Sequence, residues 1–529
     1  MKLGAGLFGV LLCTAAAAQN APVAIAVDAT ASRHAISPLI YGVAFAAPAD
    51  LAALNTPLNR SGGNRTSTYS YAASASNTAS DYYFESYPDP SPTPGSGPDA
   101  FVAADVAAGA QSMLTVPLLG HVAKLGPNRA ILPSFGVNRY GAQCSVDPYD
   151  TNAGNGLKTD CSTDIKDTDV LGSYVVDSPA LEQSWIAHLL ATWGTSAKGG
   201  VGYYLMDNEP SIWFSTHRDA HPVGPHAVEY RNKVLAESAL LRQDDPSAKI
   251  VAPEEWGWEA YFYSGYDQQY APGHNWTFPD HAGVQGGLDY IPWLLKEWKA
   301  KHAIDVLSVH FYPQGGEYGN DDTLATQLLR NRSTRQLWDP NYVSESWIDA
   351  PVYLIPRLKG WIADYYKAGT PVAITEYNWG DEANMNGATT QADIYGIFGQ
   401  QALDLATRWT VPASTTPTYK AMQMYRNYDG KKSTFGDTSV AAVVPNPDSL
   451  SAFGAQRTSD GALTVMVINK IAGSTPVTLG LAHATAAGSA QRWQLAAGTL
   501  TQLPALAWSG GALADTLPGQ SVTLYVLPQ

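Results

Sequence analysis

A chain of 529 residues exceeds one ordinary hydrophobic core, so two domains are expected, one of them large enough for a barrel of roughly 250 residues or more. The formal net charge of -15, with no run of Lys or Arg, excludes nucleic-acid binding by phosphate neutralisation, and no segment past the amino terminus is apolar enough over a sufficient length to span a bilayer. Charged residues make up only 15% of the chain while Trp and Tyr number 15 and 29, a composition poor in solvating charge and rich in rings with one apolar and one polar end.

Met1-Lys2, the apolar stretch Leu3 to Leu12 and Ala15 to Ala18 together read as an export leader covering residues 1-18, with a mature chain beginning near Gln19. Cys13 follows Leu12 where a lipid-attachment signal wants a small residue, so soluble secretion, extracellular or periplasmic, is the expectation. Val23 to Val27 alternates weakly and is separated by polar residues from the next apolar segment. It reads as a strand in residues 19-35 that joins a distant β-module.

Eight further strands are predicted at Ile36 to Phe45, Pro57 to Gly62, Ser112 to Leu119, Val201 to Met206, Lys249 to Pro253, Ile304 to Tyr312, Val372 to Thr375 and Tyr419 to Tyr425. Ala227 to Arg242, Leu288 to His302, Tyr353 to Ala368 and Ala392 to Trp409 carry apolar residues at helical spacing, and each precedes the next strand. This alternation predicts a (β/α)8 barrel over residues 36-430. Glu85 to Gly97 and Tyr140 to Thr168 read as loops. Cys144 and Cys161 lie in the second; in an exported chain they suggest a disulfide, against free thiols or a metal site lacking His ligands. From residue 431 to 529 short runs such as Ala462 to Ile468, Pro476 to Leu479, Arg492 to Leu495 and Ser521 to Leu527 alternate with Gly, Ser and Pro turns, the pattern of an all-β sandwich.

Two of the predicted strands end alike. Leu205-Met206-Asp207-Asn208-Glu209-Pro210 and Ala373-Ile374-Thr375-Glu376-Tyr377-Asn378-Trp379 each deliver a Glu flanked by amide and aromatic side chains. Counted as the ends of strands four and seven, they would converge across the mouth of a barrel. Cleavage of a glycosidic bond needs such a pair, one carboxyl to protonate the leaving oxygen and one carboxylate to attack or to activate water. Taken singly, a Glu at a helix start is equally well explained by the helix dipole.

Asn59-Arg60-Ser61-Gly62-Gly63-Asn64-Arg65, Met206 to Trp213, Ile374 to Asn378 and Met424-Tyr425-Arg426-Asn427-Tyr428-Asp429-Gly430 through Thr438 resemble glycoside hydrolase family 44 over most of the mature chain. That resemblance implies a barrel with an appended β-sandwich and retaining endo-β-1,4-glucanase activity that often extends to xyloglucan. It gives Glu209 the acid/base role and Glu376 the nucleophile role. Met206 stands where the family frequently has Leu, a change neutral for packing. No cellulose-binding or dockerin appendage is recognisable, so soluble or amorphous glucans are expected; a mannan, a xylan or non-catalytic glycan binding are the rival readings. Members can hold a structural calcium ion, for which the sequence specifies no ligands; none is required for the chemistry. The expected partner is the β-glucan polysaccharide, with no nucleic acid or membrane, and the chain is expected to act as a monomer.

Around this pair the sequence nominates supporting residues. Asn208 is placed to bond a sugar hydroxyl or to cap the next turn. His310 and Tyr312 alternate on one side of strand six, His310 either reaching the site or filling the core. Arg60 either orients Glu376 or pairs with a structural acid. Trp256, Trp258, Tyr377 and Trp379 are candidate sugar platforms or core rings. Glu254 and Glu255 are rival carboxylates. Glu209 is expected to have a raised pKa.

Overall fold

The computed structural model describes residues 19–529, and the leader assigned to residues 1-18 lies outside the described residues. Among the described residues no helix is long and apolar enough to cross a membrane.

Eight parallel strands, β1 (Gly42–Ala44), β2 (Leu58–Ser61), β3 (Gln111–Val116), β4 (Tyr203–Met206), β5 (Lys249–Glu255), β6 (Val306–Phe311), β7 (Val372–Tyr377) and β8 (Leu405–Arg408), close into a barrel. Helices α1 (Pro48–Leu54), α2 (Ser96–Ala108), α3 (Pro179–Trp193), α4 (Ala227–Asp244), α5 (Tyr290–Lys299), α6 (Leu354–Tyr365), α7 (Met385–Gln400) and α8 (Pro417–Arg426) follow the strands in turn. Strand periodicity of two explains the layering. Leu58, Met113, Leu205, Val251, Val306, Ala373 and Leu405 fill the barrel interior. Their strand neighbours Leu114, Tyr204, Ile250, Leu307, Ile374 and Ala406 face the helices.

The barrel agrees with the sequence pattern except at its first and last strands. Of the span Ile36 to Phe45 only Gly42–Ala44 is strand, because Pro38, behind the Ser37 cap, opens a short 3-10 turn over Pro38–Tyr41. Tyr419 to Tyr425, read as a strand, lies within α8, which starts at Pro417 and is capped by the Thr416 hydroxyl accepting from the Tyr419 N–H at 3.2 Å. Proline in the first turn and threonine at the cap are helix-start signals that outweigh the aromatic alternation. The eighth strand is Leu405–Arg408, inside the span read as helix Ala392 to Trp409, because α7 stops at Gln400. Part of the Glu85 to Gly97 loop is also structured: Glu85–Pro88 pairs with Ala75–Asn77 and with Leu132–Pro133. In the 140-168 loop Cys144 and Cys161 are bonded.

The β-sandwich holds β9 (Thr438–Val443), β10 (Leu450–Gln456), β11 (Leu463–Asn469), β12 (Thr475–Ala482), β13 (Gly488–Ala496), β14 (Thr499–Trp508), β15 (Ala512–Leu517) and β16 (Ser521–Leu527). The N-terminal strand Val23–Asp28 lies between β9, antiparallel, and β12, parallel, as a chain with no other sheet to join must. The continuous apolar runs of β11 and β16 have a physical cause, since both faces are covered. Val465, Val467, Tyr525 and Leu527 enter the sandwich core. Met466, Ile468, Val522, Leu524 and Val526 enter the core shared with the barrel.

Helix α7 is the element between the two cores, buried from Asn386 to Gly399, and a helix covered on every side needs no polar face. At Gly396 the Phe453 ring of β10 lies where a β-carbon would be, 2.1 Å from that position. A buried ion pair, Lys470 Nζ to Asp393 Oδ2 at 2.6 Å, crosses the same junction. Gly396→Ala therefore has to displace the Phe453 ring, and a loss of about 1–3 kcal/mol is expected. Urea unfolding monitored by tryptophan fluorescence checks this; an unchanged midpoint would show that the ring can move freely.

Candidate active site

The strand carboxyl ends bring six ionisable side chains into one contact network. Arg60 at the end of β2 is fully buried and donates from Nη1 to Glu376 Oε1 at 2.7 Å, and from Nη2 to Glu254 Oε2 at 3.0 Å and Asn208 Oδ1 at 2.9 Å. His310 on β6 contacts Glu209 Oε1 through Nδ1 at 2.8 Å and Glu254 Oε2 through Nε2 at 3.4 Å. The Tyr312 hydroxyl donates to the other Glu376 oxygen, Oε2, at 2.8 Å. One oxygen each of Glu209 and Glu376 and a ring nitrogen of His310 lie within 4.8 Å of one another.

Local backbone conformations aim these groups. Glu209 follows β4 in the left-handed region at φ 45°, its N–H donates to the Glu254 carbonyl at 3.0 Å, and Pro210 opens the next short helix. Such a conformation is unfavourable for a residue with a side chain and persists where the surroundings over-determine it. The Asn208 amide oxygen takes the Arg60 contact and the Gly63 N–H at 3.1 Å, so this side chain ties β2 to β4.

The electrostatics separate the carboxylates. Burial raises the pKa of Glu209, helped by the charge on Glu376 and opposed by His310 and Arg60. Burial alone would strip the proton from His310, but Glu376 and the contacts to Glu209 and Glu254 outweigh it and raise the imidazole to about 10. Burial also opposes the charge on Glu254, yet Arg60 first and His310 next bring its pKa below the ordinary value. Tyr312 is pushed far up by burial and by Glu376, so its hydroxyl stays a donor. Glu255, the second rival carboxylate, accepts from the Ser211 hydroxyl and is raised by burial to about 8, which keeps it neutral at pH 7.

Residues 75–315 match the sequence model of glycoside hydrolase family 44. A solved bifunctional glucanase-xylanase from a metagenome library superimposes with a TM-score of 0.94 at 54% identity, over 96% of this chain and 100% of that one. The chain belongs to glycoside hydrolase family 44. A Paenibacillus polymyxa xyloglucanase of the same family aligns with a TM-score of 0.78 at 26% identity over 96% of this chain and 99% of that one, and has also been solved with xyloglucan. Endoglucanase A of Paenibacillus lautus is 30% identical over 481 residues, 85% of this chain; the chain spans 64% of that protein's length.

In this family 44 site the residues nominated from sequence separate into two groups. Glu209, Glu376, Arg60, Asn208, His310 and Tyr312 come together. The alternatives left open for Arg60 are both realised, because it binds Glu376 and the buried acid Glu254 at once. Tyr377 and Trp379 are not sugar platforms: Tyr377 packs edge-on to Phe398 at 5.1 Å, and the buried Trp379 donates from Nε1 to Ser333 at 2.9 Å. Strand alternation turns both rings toward the helices. Trp258 packs edge-on against Phe262 at 4.7 Å, under Arg357, and is partly buried in the helical shell. Trp256 is half-buried after β5, its Nε1 donating to Gln268 at 3.0 Å.

Trp409 was not nominated. It follows β8, with Arg60 6.0 Å from its ring centroid and Phe45 edge-on at 5.7 Å. Misplacing the eighth strand hid it. Phe45 is 47% exposed beside it, so the β8–β1 edge of the mouth carries aromatic surface that the sequence reading did not assign there.

Elsewhere, both carboxylate oxygens of Glu85 and Oδ2 of Asp147 are buried without a hydrogen-bond partner. Asp147 Oδ1 accepts from the Tyr82 hydroxyl at 2.6 Å. Burial first and Asp147 second raise Glu85 to about 7.

Arg60→Met removes the only guanidinium bonded to Glu254 and Glu376 among the described residues and leaves two carboxylates short of a partner. A loss of about 3–5 kcal/mol in folding free energy is expected. Denaturant titration of wild type and variant gives the difference.

Proposed function

We propose that this family 44 chain is a retaining endo-β-1,4-glucanase that cleaves internal bonds of soluble or amorphous cellulose and of xyloglucan by double displacement. The observation carrying the reading is the pair Glu209 and Glu376, with one oxygen of each within 4.8 Å across the barrel mouth. Retaining enzymes hold the two carboxyls about 5–5.5 Å apart, inverting ones roughly 6.5–9.5 Å to admit a water. In the first step a Glu376 oxygen bonds to the anomeric carbon while the bond to the leaving oxygen breaks and that oxygen takes the Glu209 proton. In the second, Glu209 takes a proton from water, the water oxygen bonds to the carbon, and the bond to Glu376 breaks. Arg60 and Tyr312, each on one Glu376 oxygen, fix the carboxylate plane for attack and stabilise its charge on departure. The relative at 54% identity, described as both glucanase and xylanase, favours xylan as a second substrate.

We further infer that a calcium ion sits at Glu85 and Asp147. Three carboxylate oxygens buried without donors suit a hard cation that takes oxygen ligands, and the ion would tie the loop closed by Cys144 and Cys161 to the strand Glu85–Pro88. The disulfide and the leader-like residues 1-18 support action outside the cytoplasm.

Soluble xyloglucan, carboxymethyl cellulose, xylan and mannan, assayed for viscosity and reducing ends together, test the main reading. Rapid viscosity loss is expected on the glucans, falling about 10²–10⁴-fold in Glu209→Gln and at least as far in Glu376→Gln. Because Glu209 must be protonated and its pKa is raised, kcat/KM should hold into neutral pH and fall as pH rises through that raised value. Wild-type-like rates in either variant would remove the assignment. For the ion, the melting temperature of chelator-treated protein is expected to rise on adding calcium, and not to do so in Glu85→Gln.

A further inference from the structure

We propose that Glu254 is a positioning residue for the reaction: a permanently ionised counter-ion beneath the site that lets Glu209 carry a proton beside two cations. The inference rests on the glycosidase reading above.

The backbone goes out of its way to place this side chain. Between β5 and β6 the register shifts, Pro253 opposite Ser308 but Glu255 opposite Val309, so Glu254 is the extra residue of a bulge, at φ 57°. Bulges re-aim side chains beside functional sites. A matching shift between β6 and β7 skips Thr375, whose hydroxyl donates to Glu254 Oε1 at 2.8 Å. The Glu254 N–H donates to the Ser308 hydroxyl at 3.2 Å. Oε2 is left for Arg60 and His310, at 3.0 and 3.4 Å, and the residue is fully buried. A fully buried carboxylate with one oxygen held by a hydroxyl and the other turned toward the two cations is placed to set charge and not to react.

Charge counting gives its role. In the resting site Arg60 and His310 are positive, Glu254 and Glu376 negative and Glu209 protonated, so the buried set is neutral. In the glycosyl-enzyme Glu376 is an ester and Glu209 has lost its proton to the leaving group; with Glu254 still negative the set is again neutral. Neither half-reaction leaves a net charge in a site from which water is largely excluded, where such a charge is most costly. Without Glu254 the set carries one excess positive charge in both states, and the acid loses its proton early.

The charged and titratable groups facing Glu254 are Arg60 from β2 and His310 from β6, with Glu209 and Glu376 beyond them. Glu255 on its own strand is neutral at pH 7, and the Tyr230 hydroxyl of α4 is held un-ionised by burial. Burial raises Glu209, and the imidazole beside it is held protonated to about 10, so His310 remains a cation at neutral pH. Removing the negative charge of Glu254 makes the surroundings more positive, so Glu209 loses its proton at lower pH.

The test is the pH profile of kcat/KM for wild type, Glu254→Gln and Glu254→Asp on the preferred glucan. Glu254→Gln is expected to move the alkaline limb down by about one pH unit or more. Glu254→Asp keeps the charge and should leave the limb in place whatever it does to the rate. A lower rate in Glu254→Gln with both limbs unmoved would reduce Glu254 to a packing role and overturn the proposal. A second measurement needs no variant. The His310 imidazole, followed by NMR in the wild-type protein, should stay protonated through pH 8, and an imidazole already neutral at pH 7 would overturn the proposal even if Glu254→Gln does not fold. Should wild type hydrolyse no β-glycan at all, the glycosidase reading fails, while the NMR measurement still decides the charge state.

Discussion

The burial of Arg60 is the constraint on which the rest of the site depends. A guanidinium shut away from water is stable only if acids meet it with good geometry, and three different strands supply its partners: Glu376 from β7, Glu254 from β5 and the amide of Asn208 after β4. Those contacts fix the relative positions of the strand ends, and with them the spacing between the Glu209 and Glu376 carboxyls. His310 completes the set as a second cation, admissible 3.3 Å from Arg60 only because carboxylates flank both. Fold closure and the geometry of the site thus share one set of interactions. The strained backbone at Glu209 and Glu254 is the local cost of aiming side chains inward from strands whose regular alternation would point them elsewhere.

Much of this is legible in the amino-acid sequence, and the boundary is physical. Seven barrel strands announce themselves as apolar runs broken by turn residues, and residues at the strand carboxyl ends are the ones a barrel exposes to its mouth. Glu209, Glu376, Arg60, Asn208, His310 and Tyr312 all fall there. The four-residue β8 has no such signal, since the buried helix α7 before it runs almost directly into it. Tyr419 to Tyr425 alternates like a strand, and only its cap identifies it as a helix. An error in one strand then concealed Trp409.

Side-chain direction was the second limit. Tyr377 and Trp379 adjoin Glu376 in sequence, yet alternation sends them outward into the shell, and proximity along the chain says nothing about the face. Glu254 shows the converse. Its type and position suggested a competitor to Glu209 and Glu376; its meaning depends on a bulge in β5 and on partners 56, 121 and 194 residues away in sequence. No periodicity in a single sequence encodes such a convergence.

The junction at α7 bears on how such proteins diverge. Because α7 is covered on all sides and receives the Phe453 ring against Gly396, the β-sandwich is not a module hung on a linker but part of the wall behind β7, the strand that carries Glu376. Recombination that exchanged one domain for a homologue's would have to carry the facing surface of α7 with it, so barrel and sandwich are expected to be inherited as one unit, with their junction drifting in concert while the loops at the mouth vary independently.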